Sequence, residues 1–156
     1  MSDVENSEFI RKSEFFQGFT EQDIIDFSAI SSHLSFTDGQ FIIEEGDEAS
    51  KDLFVIVSGT VVAKIKTQEP DVANVNVMSV GNIFGELALV IDSKRSASIV
   101  ATSEVEVLKV SRSDFEVVAG RNSHLGMIFY RNIAKVLAER IKNTNLMLRH
   151  TIIWGW

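Results

Sequence analysis

The middle of the chain, from His33 to Val110, is a succession of short runs of β-branched and aromatic residues separated by turn residues. Among these runs are QFIIEEGD, DLFVIVSG, TVVAKIKT and EVEVLKV. Alternating apolar and polar residues in Thr60–Lys66 and Val72–Val80 predict half-buried strands, and Ser58–Gly59 predicts a tight connection between two strands. About seven or eight strands, roughly ten residues apart, favour a sandwich or jelly roll over a parallel sheet.

The two ends of the chain have helical spacing instead. Apolar residues from Glu5 to Ile30 recur at three- and four-residue intervals, which predicts two helices, the second starting after Thr20. After Val110 we expect a short helix that opens at Ser111 and ends at Gly120, and then a long helix over about 124–150. The apolar stripe of the long helix comprises Phe129, Ile133, Val136, Leu137, Ile141, Thr144, Met147 and Leu148.

Length and composition predict one domain that spans residues 1–156. A chain of 156 residues with 45% hydrophobic content buries a substantial core without disulfides or metals. The absence of cysteine, the acidic N-terminal segment and the lack of a membrane-length apolar run lead us to expect a cytoplasmic protein with no membrane partner. A net charge of −7 argues against a nucleic-acid partner, because a polyanion would be repelled over most of the surface.

The segment Gly81–Ala101, GNIFGELALVIDSKRSASIVA, combines residue types that bind an anion. Gly85 and the small Ala88 allow the backbone to approach a ligand closely. A helical turn over Glu86–Leu89 would direct free N–H groups at a negative charge. These features predict a loop that cradles an anionic ligand.

Further along the same segment, Arg95 can form a forked, charge-assisted hydrogen bond with the anion, and Ser96 and the N–H of Ala97 can complete the cradle. Glu86 can accept a hydrogen bond from a hydroxyl group. A ligand with a phosphate next to a ribose would need both the arginine that binds the anion and the carboxylate that accepts the hydroxyl. The same residue types also occur in an ion pair that closes a surface turn, so the types alone leave both interpretations open.

The pattern FGELAL, followed after VIDSK by RSA, resembles the phosphate-binding cassette of the cyclic nucleotide-binding domain family, which includes catabolite-activator-type regulators and kinase regulatory subunits. The resemblance extends to EEGD at Glu44–Asp47, to LFVIVSGTV at Leu53–Val61 and to the long terminal helix, and covers about Phe15 to Leu148. It implies a mainly β fold, a jelly-roll-like double-stranded β-helix with N-terminal helices and a long C-terminal helix. The expected parts are helices in 1–30, the β-roll in 31–110 with the cassette at 81–101, helices in 111–150 and a tail in 151–156.

The resemblance also implies roles for individual residues. Glu86 would bind the ribose 2′-hydroxyl and Arg95 the exocyclic phosphate oxygens. Backbone and hydroxyl contacts would come from the remaining cassette residues, which are Gly85, Leu87, Ala88, Ser96 and Ala97. The expected ligand is a cyclic nucleotide, and no cofactor is expected.

Candidate contacts to the base are Arg140, Asn143 and Thr144 on the last helix and Val75 and Val77 on the strand before the cassette. Each helix residue fits a solvated surface equally well, and the valines fit an ordinary core. Ser96 favours cAMP, while cGMP and a cyclic dinucleotide stay open.

Other functions have less support in the sequence. His33, His124 and His150 share no metal-ligand spacing, and no serine lies in a nucleophile elbow, so we expect neither a metal site nor an enzyme. The tail with Trp154 and Trp156 is too short for a DNA-reading domain. We expect a homodimer through the long helix and a downstream protein partner, and the alternative is a dimerisation or docking module whose pocket is vestigial.

Overall fold

The computed structural model describes residues 2–67 and 72–154, and gives side chains for residues 2–67 and 76–150. Its described strands are β1 (Ser32–Phe36), β2 (Phe41–Ile43), β3 (Asp52–Ser58), β4 (Val61–Lys66), β5 (Val72–Met78), β6 (Ile83–Phe84), β7 (Ser98–Ala101) and β8 (Val105–Ser111). Its helices are α1 (Asp3–Lys12), α2 (Glu21–Ala29), α3 (Leu87–Val90), α4 (Arg112–Arg121) and α5 (Ser123–Trp154), with a 3₁₀ turn at Glu14–Phe16. Pro70 lies outside the described residues.

The strands of the described residues pair into two antiparallel sheets of four strands each, ordered β1-β8-β3-β6 and β2-β7-β4-β5. Most connections carry the chain from one sheet to the other, so the neighbours within a sheet are far apart in sequence. This is a jelly-roll arrangement. The predicted mainly β fold, with N-terminal helices and a long C-terminal helix, is confirmed.

Two apolar clusters lie on the two sides of the β3–β8 sheet. Inside the roll, Phe54 and Phe84 stack with ring centroids 5.0 Å apart, and both are buried. Outside the roll, Phe27 of α2, Phe115 of α4 and Phe129 of α5 pack against the sheet and are fully buried. The helices are therefore fixed to the roll by an aromatic core.

The helix boundaries follow from local capping. The Thr20 side chain accepts a hydrogen bond from the N–H of Asp23, and the Asp23 carboxylate accepts one from the N–H of Thr20, so α2 begins as predicted. Ser111 caps α4 as predicted, but α4 continues one residue beyond Gly120. The long helix is also longer than predicted at both ends.

The apolar stripe of α5 divides into two parts. Phe129 and Ile133 are buried against the domain and Val136 is half-buried, whereas every residue from 141 to 150 is exposed. The far part of α5 therefore projects beyond the domain.

Gly59 is required by the connection between β3 and β4. Its φ is +87°, a region that residues with a side chain rarely adopt, and a Cβ at this position would overlap the carbonyl oxygen of Glu104. Gly39 has almost the same φ, +85°, but no described atom lies within 4 Å of its Cβ position. Substitutions at the two glycines therefore distinguish two costs: backbone strain, which both positions share, and steric overlap, which arises at Gly59 and not at Gly39.

We expect Gly39→Ala to lower the free energy of unfolding by about 1–2 kcal/mol, the cost of a left-handed backbone conformation for alanine. Gly59→Ala should lower it by roughly 1–3 kcal/mol more, because the strand connection must also shift away from Glu104. Denaturant unfolding of the two variants and the wild type measures both values. Equal losses in the two variants would contradict the packing described at Gly59.

Candidate functional site

The predicted cassette lies between β6 and β7, as a sharp turn at Gly85, the short helix α3 and an extended segment that leads to Ser98. Gly85 has φ +77°, and a Cβ there would lie 2.7 Å from the carbonyl oxygen of Asp52. Only glycine lets the turn approach β3 this closely. The local sequence therefore holds the start of α3 against the β3 strand.

Arg95 is a buried cation in the extended segment after α3, with 7% of its surface exposed. Its Nη2 donates to the carbonyl oxygen of Asp52 at 2.8 Å and to Ser50 Oγ at 3.1 Å, and its Nη1 donates to the carbonyl oxygen of Gly85 at 3.1 Å. Its Nε is buried without a hydrogen-bond partner among the described residues. Of the five guanidinium N–H donors, three are used to fix the side chain in place.

Burial lowers the pKa of the Arg95 guanidinium from its ordinary value, and the carboxylates of Asp52 and Asp47 oppose that shift. The group stays protonated, since arginine keeps its charge in proteins. Its three hydrogen bonds go to neutral oxygens, so a positive charge is held in a buried position with an unused donor. An anion is the ligand that this arrangement fits.

The candidate cassette residues are brought together around one cavity of about 200 Å³. Its lining includes all seven of them: Gly85, Glu86, Leu87, Ala88, Arg95, Ser96 and Ala97. Ser96 is exposed at its mouth and Ala88 is buried. Their roles toward a ligand stay predictions.

Glu86, just before α3, is 2% exposed and forms an ion pair with Arg140 of α5. Arg140 also donates through Nη2 to the carbonyl oxygen of Ile83 at 2.8 Å and lies 3.9 Å from Met78 Sδ. Burial lowers the pKa of the Arg140 guanidinium from its ordinary value. The carboxylate that was predicted to accept a hydroxyl is thus in contact with the long helix.

Of the other candidates for base contacts, Val77, Asn143 and Thr144 do not line this cavity. Val77 is 71% exposed and lines a neighbouring groove, as does the exposed Asn143. Thr144 is exposed, and its Oγ1 donates to the carbonyl oxygen of Arg140 within α5. The side chain of Val75 lies outside the described residues. Among the four candidates whose side chains are described, the structure brings Arg140 to the cassette.

Sequence reasoning missed several residues of the site. Ser50 and Asp52 position Arg95, and Asn76 and Met78 of β5 line the cavity. Asp52 and Ile83 act through backbone oxygens, which any residue type supplies, so no sequence signal marks them. The alternation of apolar and polar residues along β5 indicated that one face of the strand is buried. It did not show which face lies against the cassette.

Among the described residues, no group of three histidine, aspartate or glutamate side chains lies close enough to hold a metal ion. In the same part of the chain, no helix has both the length and the apolar character needed to cross a membrane.

Comparison with known families identifies the family to which this fold belongs. The model of the cyclic nucleotide-binding domain matches residues 33–138, which include the roll, the cassette and the first half of α5. The chain belongs to the cyclic nucleotide-binding domain family. The family that the sequence predicts is thereby confirmed.

Curated relatives of this cyclic nucleotide-binding domain include protein kinases and a kinase subunit. A cGMP-dependent protein kinase of Eimeria tenella is 32% identical over 83% of this chain and 12% of its own length. A cAMP-dependent protein kinase regulatory subunit of Colletotrichum orbiculare is 32% identical over 72% of this chain and 28% of its own length. The chain thus spans less than a third of the length of each of these two relatives.

Among solved structures, a cyclic nucleotide-binding domain from Methylobacillus flagellatus superimposes with a TM-score of 0.83 over 96% of this chain and 84% of its own. Its sequence is 20% identical, so this likeness shows the fold. It supports the assignment of the roll and its flanking helices.

Proposed function

We propose that this domain is a receptor for a cyclic nucleotide, whose phosphate binds in the cassette cavity against Arg95. The observation that carries the proposal is the state of Arg95, which is buried, charged and fixed by three hydrogen bonds, while its Nε has no partner in the described part of the chain. A guanidinium fixed in advance loses little side-chain entropy on binding. A cyclic phosphate would place a negative charge in direct contact with this cation, whose three hydrogen bonds go to neutral oxygens.

Glu86 and the short helix α3 would contact the parts of the sugar-phosphate that Arg95 does not. Glu86 lines the same cavity as Arg95, so a ribose hydroxyl attached to the bound phosphate would lie near its carboxylate. Gly85, Leu87 and Ala88 supply the backbone of the turn, and Ser96 and Ala97 the opposite wall. Family membership supports this distribution of roles.

We propose cAMP as the ligand, with cGMP as the closest competitor. Ser96 follows Arg95. At this position cGMP-selective members of the family carry a threonine, whereas many cAMP receptors carry an alanine or a serine. The names of the two curated relatives divide between the two nucleotides. A competition panel of cAMP, cGMP and a cyclic dinucleotide separates the three ligands.

The output would be regulatory and not catalytic. A ligand shifts a conformational equilibrium by no more than its difference in affinity between the two states, so a downstream protein must distinguish positions of α5. α5 fits that role, because Arg140 joins it to the cassette and residues 141–150 project beyond the domain.

We expect Arg95→Ala to weaken cAMP binding by about 2–5 kcal/mol, because the buried phosphate would lose its charged partner. Glu86→Ala should cost less, since it removes a contact to a hydroxyl and not to a charge. Isothermal titration calorimetry measures both variants, with the exposed Arg121→Ala as the control that removes an arginine outside the cavity.

Arg95 also supports the cassette backbone, so thermal unfolding must show that the variant is folded, and Arg95→Gln serves where alanine is not tolerated. A folded Arg95 variant with the affinity of the wild type would contradict the cassette assignment. If no variant and no wild-type protein binds a nucleotide, the docking module with a vestigial pocket becomes the better account.

We propose further that two copies pair along one face of α5, from Tyr130 to Leu148. Tyr130, Ala134, Leu137, Ile141, Thr144 and Leu148 alternate at steps of four and three residues. All are exposed except Leu137, which is half-buried. A seam with this heptad spacing matches a second copy of itself in a left-handed coiled coil.

We expect Ile141→Glu to convert a dimer to a monomer, because it places a charge in the middle of the seam. Lys142→Glu is the matched control, since it introduces the same residue one position away from the seam. Light scattering after size-exclusion chromatography measures the mass. Wild-type protein that runs as a monomer at high concentration, or an Ile141→Glu dimer, would contradict the pairing.

A further inference from the structure

The long helix α5 is basic, although the chain as a whole is acidic. The sequence of α5 contains five arginines and lysines and one carboxylate, that of Glu139. The whole chain carries 15 arginines and lysines against 22 aspartates and glutamates, which gives a net charge of −7. Positive charge is therefore concentrated on α5, and the remainder of the protein is more acidic than the total shows.

Four of the five basic residues of α5 form one row along the helix, which we call the basic stripe. The basic stripe comprises Arg131, Lys135, Lys142 and Arg149. Steps of four and seven residues return to the same side of an α-helix, so these four side chains share one face. At 1.5 Å per residue the stripe is about 27 Å long. All four residues are exposed, as is the small Ala138 between them.

The basic stripe has no carboxylate partner within the described part of the chain. Elsewhere, Arg11, Lys94 and Arg112 pair with carboxylates at 2.9, 3.3 and 2.6 Å. Arg140, the fifth basic residue of α5, pairs with Glu86. No member of the basic stripe forms an ion pair with a described residue. Its positive charge is thus available to another molecule.

The basic stripe is separate from the other surfaces assigned to this domain. Lys142 follows Ile141 and Arg149 follows Leu148, so the stripe lies about 100° around the helix from the proposed dimer seam. None of the four residues of the stripe lines the cassette cavity. A second copy paired through the seam and a ligand in the cassette would both leave the stripe open.

The length and the setting of the stripe favour a short acidic segment over an extended polyanion. A nucleic-acid duplex or an anionic bilayer continues beyond the stripe and would also lie against the acidic remainder of the domain, which repels it. An acidic helix beside α5 covers the stripe and ends with it. Lys135, Lys142 and Arg149 recur every seven residues, and helices that pack side by side share this period.

We propose that the basic stripe is a docking surface for an acidic helical segment of a partner protein, whose carboxylates pair with Lys135, Lys142 and Arg149. This inference goes beyond the proposed function, because the stripe is separate from the cassette and its binding requires no nucleotide. A single exposed ion pair stabilises a complex little. A row of charges with matching spacing determines the register and orientation of the partner, and it rejects partners that carry positive charge.

The probe for the test is a fluorescently labelled, alanine-rich helical peptide of about three heptads, with glutamates at steps of three and four residues along one face. Fluorescence anisotropy at low ionic strength measures its binding to the whole chain. Lys142→Glu and Arg149→Glu should each weaken binding about fivefold or more, because each replaces an attraction by a repulsion. Arg121→Glu is the matched control, since it makes the same charge change at an exposed residue of α4, and it should bind like wild type.

A second peptide of the same composition, with its glutamates distributed around the helix, should bind more weakly than the first. Equal losses in Arg121→Glu and in the two stripe variants would overturn the stripe and leave an effect of net charge. Equal binding of the two peptides, or no binding of either by the wild type, would overturn the acidic helix as the partner. Binding to phosphatidylglycerol vesicles without binding to the peptide would also overturn it, because the occupant would then be a lipid surface.

Thermal unfolding shows whether each variant is folded, and Lys142→Gln and Arg149→Gln replace a glutamate variant that is not. The peptide titration contains no nucleotide, so its result does not depend on whether the cassette binds cAMP. Failure of peptide docking would leave the proposed function in place, and failure of nucleotide binding would leave the docking surface in place.

Discussion

The site depends on the way Arg95 joins the cassette to the β-roll. Its guanidinium bridges the carbonyl oxygens of Gly85 and Asp52, and its backbone pairs with Gly46 and Asp47 at 2.8 and 2.9 Å. A buried arginine costs desolvation free energy unless its donors and its charge are satisfied. Here three donors are satisfied by the fold, and the charge is left available to a ligand. The same residue thus determines the shape of the cassette and, in the proposed function, pairs with the phosphate.

The second constraint is the pair between Glu86 and Arg140, which connects the cassette to α5. The phenylalanine core fixes the first turns of α5 to the roll, so the helix can respond to a ligand only beyond that core. Arg140 lies at the boundary between the buried and the projecting parts of the helix. In the proposed function, this pair is the contact through which a change at the cassette would reach the part of α5 beyond Arg140.

Much of the fold was accessible from the sequence because its signals are local. Alternation marked β4 and β5, the Thr20 and Ser111 caps marked two helix starts, and the cassette residues were recognisable from FGELAL and RSA. The partners of Arg95 were not accessible, because backbone oxygens leave no trace in residue type. The Glu86–Arg140 pair joins residues 54 positions apart, and each of the two residue types alone fits a solvated surface. The base-contact candidates on the strand and helix needed the register of β5 and the rotation of α5, which spacing alone does not determine.

The central claim is that a cyclic phosphate binds against the buried cation in the cassette. Calorimetric titration of the wild-type chain with cAMP, beside 5′-AMP as the acyclic control, tests it most directly. We predict saturable binding of one cAMP per chain and much weaker binding of 5′-AMP, whose open phosphate does not match the cassette turn. No heat and no thermal stabilisation with millimolar cAMP or cGMP would contradict the account.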